Sequence, residues 1–294
     1  MKSNNCFLLL FVLIISAICF SCSKYNNDAA IITPTPPPPP IPPSPKTCMI
    51  AGFSQNNSGN KPEFFMSIAF NGNQNPTRIS VFDSAANSQL FSANLTYASA
   101  DSIRIDAYQY FKLDNNKRVS RFFTKQNMKK PTSSDNYLYE YTYNSDGYLT
   151  TKNLYVNGSL TPLYNTTYTY TNGLLTSCLM VAASAGNKKI LESSLTYDES
   201  ISVKTMFYTF TDGFESYYFS PAMNYGIRPA KPPKQITTKF YDPANNKLLD
   251  TWTSNYSGYT VDGNGYLTYG IASGDQQQGM ANFFGKTIFL YQCQ

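Results

Sequence analysis

The chain has no histidine among its 294 residues. Histidine is the commonest general base and metal ligand, because its charge changes near neutral pH. Its absence excludes Ser-His and Cys-His nucleophile systems. It also excludes the histidine-ligated zinc sites of hydrolytic metalloenzymes. Carboxylates remain for acid–base work. Asp and Glu total 18, and Asp198 and Glu199 are the only adjacent pair. A glycosidase needs two carboxylates facing one cleft at a set separation. Spacing along the chain places no pair that way. Neither GxGxxG nor GxxxxGK[ST] occurs. Gly285-Lys286-Thr287 copies the end of the second pattern, but Met280 stands where its first glycine belongs. Asp262-Gly263-Asn264-Gly265 begins like a calcium loop but lacks the later acidic ligand, so it reads as a hairpin turn. No catalytic residue, metal or cofactor is assigned.

Binding chemistry leaves more candidates. Trp252 is the sole tryptophan, in Asp250-Thr251-Trp252-Thr253-Ser254-Asn255-Tyr256. An aromatic ring beside amides and hydroxyls suits a sugar face, which makes Trp252 and Tyr256 candidate glycan contacts. The alternative is a tryptophan packed in the core of a strand. The net charge is +5, thinly spread. Its densest spot, Lys125, Lys129 and Lys130 near Lys117, Arg118 and Arg121, reads as a solvated face and not a nucleic-acid surface.

Residues 1–21 read as an export leader. Lys2 supplies a positive start, and Cys6 to Phe20 is a nearly all-apolar run. That run is too short to span a bilayer comfortably and suits a signal-peptide core. It ends at Cys19-Phe20-Ser21-Cys22. This end resembles the lipoprotein signal family, in which a small residue precedes a lipidated cysteine. Ser21 takes the small position at the cleavage point and Cys22 the modified one. Cys19 stands where the family usually has Leu. The relaxed box resembles lipoproteins of the Bacteroidota. The likeness implies acyl chains on Cys22, and more than one chain makes membrane attachment stable. The predicted place is the cell envelope, as an outer-membrane lipoprotein on its periplasmic or surface face.

Residues 22–47 form the lipidated N-terminus and a tether. Its centre, Pro34 to Pro45, is mostly proline. Consecutive prolines lack N–H donors and fix φ, so the segment takes polyproline II. Twelve such residues reach roughly 37 Å, a semi-rigid stalk.

Residues 48–294 are predicted to be one all-β domain. Aromatics make up 15% of the chain, with Tyr 24 and Phe 20, a composition that suits pleated faces. Tyr137, Tyr139, Tyr141 and Tyr143 form a stripe on one side of a strand. Ile103, Ile105 and Ala107 alternate in the same way. Phe64 to Phe70 and Arg78 to Phe82 flank a hairpin-like loop, Asn71 to Pro76. Ser200 to Lys204 and Lys234 to Lys239 read as strands with polar residues on both faces.

One unit recurs. Tyr141-Thr142-Tyr143 with Asp146-Gly147-Tyr148-Leu149-Thr150 is matched by Tyr168-Thr169-Tyr170 with Asn172-Gly173-Leu174-Leu175-Thr176, and again around Asp262 to Thr268. Degenerate copies lie at Leu113 to Val119, Leu195 to Glu199 and Phe240 to Leu248. Asp-Gly and Asn-Gly supply the positive φ of tight hairpins. A chain of such hairpins is an antiparallel β-meander, closing to a curled sheet or barrel. The polar strand faces favour a barrel outside the lipid, because a spanning barrel needs an apolar outward band.

The units resemble YD-type β-hairpin repeats. Leader, tether and hairpins together resemble uncharacterised Bacteroidota lipoproteins with a porin-like-fold domain. That family's activity is unknown, so the likeness implies a shape and a location.

After export and lipidation, Cys48, Cys178 and Cys293 remain. Pairing Cys48 with Cys293 would join the first and last strands. The alternative is three isolated thiols, with Cys178 buried in a strand. Asp83-Ser84-Ala85 and Asp101-Ser102-Ile103 resemble the Bacteroidota O-glycosylation signal, which makes Ser84 and Ser102 candidate acceptors.

The function expected is non-enzymatic: an anchored envelope protein that binds a glycan or an envelope partner. The alternatives are a structural or assembly subunit of an outer-membrane complex, and a carboxylate-based glycan hydrolase. A packed apolar interior would favour scaffold, and an open polar-aromatic groove would favour ligand.

Overall fold

The computed structural model describes residues 47–56, 62–84, 86–125, 135–204, 206, 208, 210, 218–275 and 285–293. The leader, Ser21, Cys22 and the tether before Thr47 lie outside the described residues, as do Lys129, Lys130 and Met280. The described residues all belong to the second of two units, Met1–Ser44 and Pro45–Gln294.

That unit is an antiparallel sheet rolled into a ring. It begins with β1 (Cys48–Asn56), β2 (Pro62–Phe70), β3 (Pro76–Asp83) and β4 (Ser88–Asn94). Next come β5 (Thr96–Ser99), β6 (Ser102–Arg104), β7 (Tyr110–Leu113), β8 (Val119–Thr124) and β9 (Tyr137–Tyr143). Then follow β10 (Leu149–Val156), β11 (Tyr164–Thr171), β12 (Leu174–Ala182) and β13 (Lys188–Tyr197). The last four are β14 (Pro233–Asp242), β15 (Lys247–Val261), β16 (Leu267–Gly274) and β17 (Gly285–Cys293). Strands follow one another around the sheet in chain order, and β1 pairs with both β2 and β17.

Parity explains a detail of the count. β4 pairs with β3 and β5 with β6. Only Leu95 separates β4 from β5, and its N–H donates to the Thr77 carbonyl at 2.7 Å, prolonging the β3 ladder. The two are consecutive stretches of one strand, so the ring has 17 − 1 = 16 strands. An antiparallel ring closes only on an even number.

Chain direction sorts the connections into two ends. The proximal end is where β1 starts and β17 stops. It carries four turns of one design, beginning at Asn71, Asp114, Asn144 and Asp262. In each, the first residue's side-chain Oδ1 accepts a hydrogen bond from the backbone N–H four residues on, at 2.9–3.0 Å. In each, the fourth residue has positive φ: Gln74 at 62°, Lys117 at 61°, Gly147 at 96° and Gly265 at 88°. This is a type I turn with a bulge residue in the left-handed region. The repeated Asx is therefore a side-chain cap on its own turn. Asn172-Gly173 instead makes a two-residue turn with both residues at positive φ. The degenerate copy Phe240 to Leu248, with Asn246 at positive φ, closes a hairpin at the opposite end, between β14 and β15.

Two expected strands fail. β6 stops at Arg104, because Asp106 turns the chain: Ile105 and Asp106 N–H both donate to the Gln109 carbonyl, and the Asp106 carboxylate accepts from Tyr108 N–H. A side chain that offers the backbone such bonds competes with the ladder. Ser200 to Lys204 also lies outside the sheet. It belongs to the connection 198–232, which replaces a hairpin between β13 and β14.

The described residues of that connection enter the ring and pack its interior. Val203, Met206, Tyr208, Phe210, Phe219, Met223 and Tyr225 are buried in one cluster with the inward strand residues. Phe219 meets Phe91, Phe111 and Phe122 at 5.5, 5.1 and 5.7 Å between ring centroids. Tyr225 meets Tyr141 at 5.2 Å, and Phe210 meets Tyr168 at 5.2 Å. These partners come from β4, β7, β8, β9 and β11, so the segment is a plug. Gly226 seats it. Its φ is +93°, and a Cβ there would stand 2.3 Å from the Gly147 carbonyl oxygen.

Several strands turn polar residues outward, although Phe82, Leu90, Leu248, Leu249 and Leu290 are exposed as well. Thr167, Thr169 and Thr171 on β11 point out beside Ser194 and Thr196 on β13. Gln235 and Lys239 on β14 and Thr251, Asn255 and Ser257 on β15 are exposed too. Ile288 faces out, with Ser54 and Tyr269 as its cross-strand neighbours. These strands lack the continuous apolar band of a lipid-spanning barrel.

Candidate functional site

The proximal end holds a cavity of about 1030 Å³. Five parts of the chain line it. The β1 start supplies Met49 and Ile50, and the β2–β3 turn supplies Asn71 to Asn75 in part. The β5–β6 turn gives Ser99 and Ala100. Leu113 and Lys117 come from the β7–β8 turn. The plug gives Lys204, Tyr208, Met223, Asn224, Ile227 and Arg228. The walls are more than half apolar by residue, and their charged members are Lys117, Lys204 and Arg228.

The plug wall is fixed by one tyrosine. Tyr208 Oη donates to the Gly226 carbonyl at 2.8 Å and accepts from Tyr225 N–H at 3.0 Å. Asn224 Oδ1 accepts from Gly226 N–H at 3.0 Å. Arg228 donates to the carbonyls of Met206 at 3.4 Å and Pro221 at 3.2 Å, with its guanidinium 4.7 Å from the Tyr208 ring centre. Lys117 Nζ donates to the Ala100 carbonyl at 2.7 Å. Tyr97 lines the wall, and burial pushes its phenol up to about 12.

No family model matches the chain. No curated protein sequence matches it. Solved structures do. A porin-like protein from Bacteroides vulgatus aligns with TM-score 0.52 and 12% identity, covering 84% of this chain and 99% of that one. A porin-like protein from Bacteroides uniformis aligns with TM-score 0.52 and 14% identity, over 83% and 98%. This chain has a porin-like fold.

Within the porin-like barrel the sequence-predicted residues scatter. Cys48 and Cys293 pair directly across the β1–β17 ladder and are disulfide-bonded, with Cα atoms 4.0 Å apart. Cys178 is buried on β12, opposite Tyr168, and takes no part in the disulfide. Ser84 is exposed in the β3–β4 turn. Ser102 is half-buried at the start of β6, opposite Ser99 and Lys112.

The candidate glycan pair is corrected by burial. Tyr256 is 5% exposed and belongs to the core, so its ring offers no sugar-stacking face. Trp252 is half-buried on the inner side of β15, opposite the fully buried Thr238. Its indole N–H donates to Asp250 Oδ2 at 2.6 Å, and its ring meets Phe240 edge-on at 4.9 Å.

Carboxylates do not gather in the cavity; none lines it among the described residues. Asp198 accepts from Ser200, whose hydroxyl and N–H hold its carboxyl below the usual range. This cavity therefore offers no carboxylate pair for glycoside hydrolysis among the described residues. The basic spot also disperses. Arg118 pairs with Asp114 at 2.7 Å and Arg121 with Glu140 at 2.9 Å, while Lys117 and Lys125 lie at opposite ends of β8.

The cavity residues were missed in the sequence. Their one signal was the recurring Asx-capped turn, which places Asn71 and Lys117 at one end. Nothing local told that 198–232 turns inward.

Proposed function

We propose that this porin-like chain is a lipid-anchored cell-envelope protein that binds its ligand without chemical conversion, in the proximal cavity. The cavity carries the reading: a large concave site with apolar walls and a few convergent polar groups is what ligand binding requires. The Cys22 lipobox and the proline stalk support the location, and the solved structures that share the fold are porin-like proteins from Bacteroides. A glycan and envelope-protein binding screen with the purified lipoprotein tests it. Binding lost in Ala222→Trp, which fills the cavity, is the expected result. A screen without hits sinks the proposal. Acyl label on the wild-type chain and none on Cys22→Ser tests the anchor.

One observation favours a second reading, a structural or assembly subunit of an outer-membrane complex. The ring is packed by its own plug, as a rigid scaffold would be. Affinity purification that recovers a stable outer-membrane partner from cells, with Ala222→Trp still recovering it, would favour this reading over the first.

A further inference from the structure

The cavity wall has a charge sign. Lys117, Lys204 and Arg228 line it, and among the described residues no Asp or Glu does. The nearby carboxylates are already engaged. Asp101 accepts from Ser99 at 2.5 Å and pairs with Lys112 at 3.5 Å. Asp114 pairs with Arg118, and Asp262 caps its own turn. Lys204 stands over the Tyr266 ring, 5.6 Å from Nζ to centroid, and keeps an exposed ammonium. Arg228 is held by two carbonyls and a ring, so little conformational freedom is lost when its remaining N–H groups bind. Met49, Phe70, Leu113 and Ile227 keep exposed surface and supply the apolar part of the same wall.

We propose that the proximal cavity takes an amphiphilic anion, a phosphate or carboxylate head on an apolar body. The cations receive the head, and the apolar wall receives the body. The inference rests on the cavity being the binding site and adds the class of ligand.

The test uses the full-length chain and three probes: hexyl phosphate, hexyl β-glucoside and inorganic phosphate, by titration calorimetry. Hexyl phosphate should bind saturably. The glucoside, which lacks charge, and inorganic phosphate, which lacks the body, should each bind about tenfold more weakly or worse. Lys117→Gln with Lys204→Gln should weaken hexyl phosphate about tenfold and flatten its salt dependence. Both lysines are exposed, so the double variant keeps the fold; an unchanged Tm checks this. Equal binding of hexyl phosphate and hexyl glucoside overturns the proposal. So does equal binding of inorganic phosphate, an affinity unchanged in the double variant, or no saturable binding of hexyl phosphate. If a screened neutral ligand loses binding in Ala222→Trp while hexyl phosphate never binds, the charge inference fails and the cavity reading survives. Phosphatidylglycerol vesicles that displace hexyl phosphate identify a membrane lipid as the source, and vesicles that do not identify a free amphiphile.

Discussion

Cys48 faces Cys293 in the β1–β17 register, and the bond between them fastens the ring where it closes. The two residues are 245 apart in sequence, so the bond closes nearly the whole domain into one loop. In the chain-entropy account such a loop restricts the unfolded state by roughly 5 kcal/mol. Cys48→Ser with Cys293→Ser should lower Tm strongly and leave the far-ultraviolet spectrum of the folded protein unchanged. Calorimetry with and without reductant checks the same point. A Tm indifferent to both would show that the closing ladder needs no bond.

Tyr208 is the internal tie of the plug. Tyr208→Phe removes the acceptor of the buried Tyr225 N–H and the donor to the Gly226 carbonyl. An orphaned buried donor costs about 1–3 kcal/mol. Urea unfolding should show a loss in that range. Hydrogen exchange should show protection falling in 218–228 before the sheet. Exchange that rises uniformly would mean that the plug has no separate stability.

Asp114 separates two roles of one side chain. Asp114→Asn keeps a capping oxygen, as Asn71 and Asn144 do at equivalent turns, but loses the ion pair with Arg118. At neutral pH it should cost under about 1 kcal/mol. Asp114→Ala loses the cap as well and should cost about 1 kcal/mol more. Burial disfavours the carboxylate, but its bonds to Arg118 win and hold it below the usual range. Its contribution is therefore present above the unfolded pKa and lost as pH falls through the folded one. The Asp114→Asn deficit should shrink as pH falls below the ordinary carboxylate range and vanish once the folded carboxyl is protonated. A deficit that persists there assigns the loss to packing.

Buried phenols set the alkaline limit. Burial raises Tyr97 to about 12 and pushes Tyr143, Tyr170, Tyr197, Tyr256, Tyr259 and Tyr291 up as well. In the unfolded chain they ionise near about 10. Groups raised on folding stabilise the fold below the unfolded value and lose that contribution as pH rises. Unfolding should set in above about pH 10, with tyrosinate absorbance rising together with loss of structure. Smooth titration of these phenols in a folded protein would contradict their burial.

Much of the fold was legible because strand signals are local. The Tyr137 to Tyr143 stripe alternates, and β9 points it inward as alternation requires. Asn172-Gly173 gave its hairpin from two residues. The failures were residues whose fate is decided at a distance. Asp106 spoiled an alternating run through side-chain bonds that no periodicity reveals. Ser200 to Lys204 reads as a strand too, but Val203 finds its partners inside the ring. Trp252 and Tyr256 stayed open between a sugar face and the core because residue type does not tell which face of a strand turns in.

The sequence by itself determined the all-β class, the neighbour-by-neighbour meander, the recurring Asx-Gly hairpin turns and the absence of histidine chemistry. Each follows from residue type or from contacts a few positions apart. Tertiary structure decided the closure of β17 on β1, the inward plug and the cavity with its three cations. These depend on residues far apart in the chain, and only the assembled ring determines which of them meet.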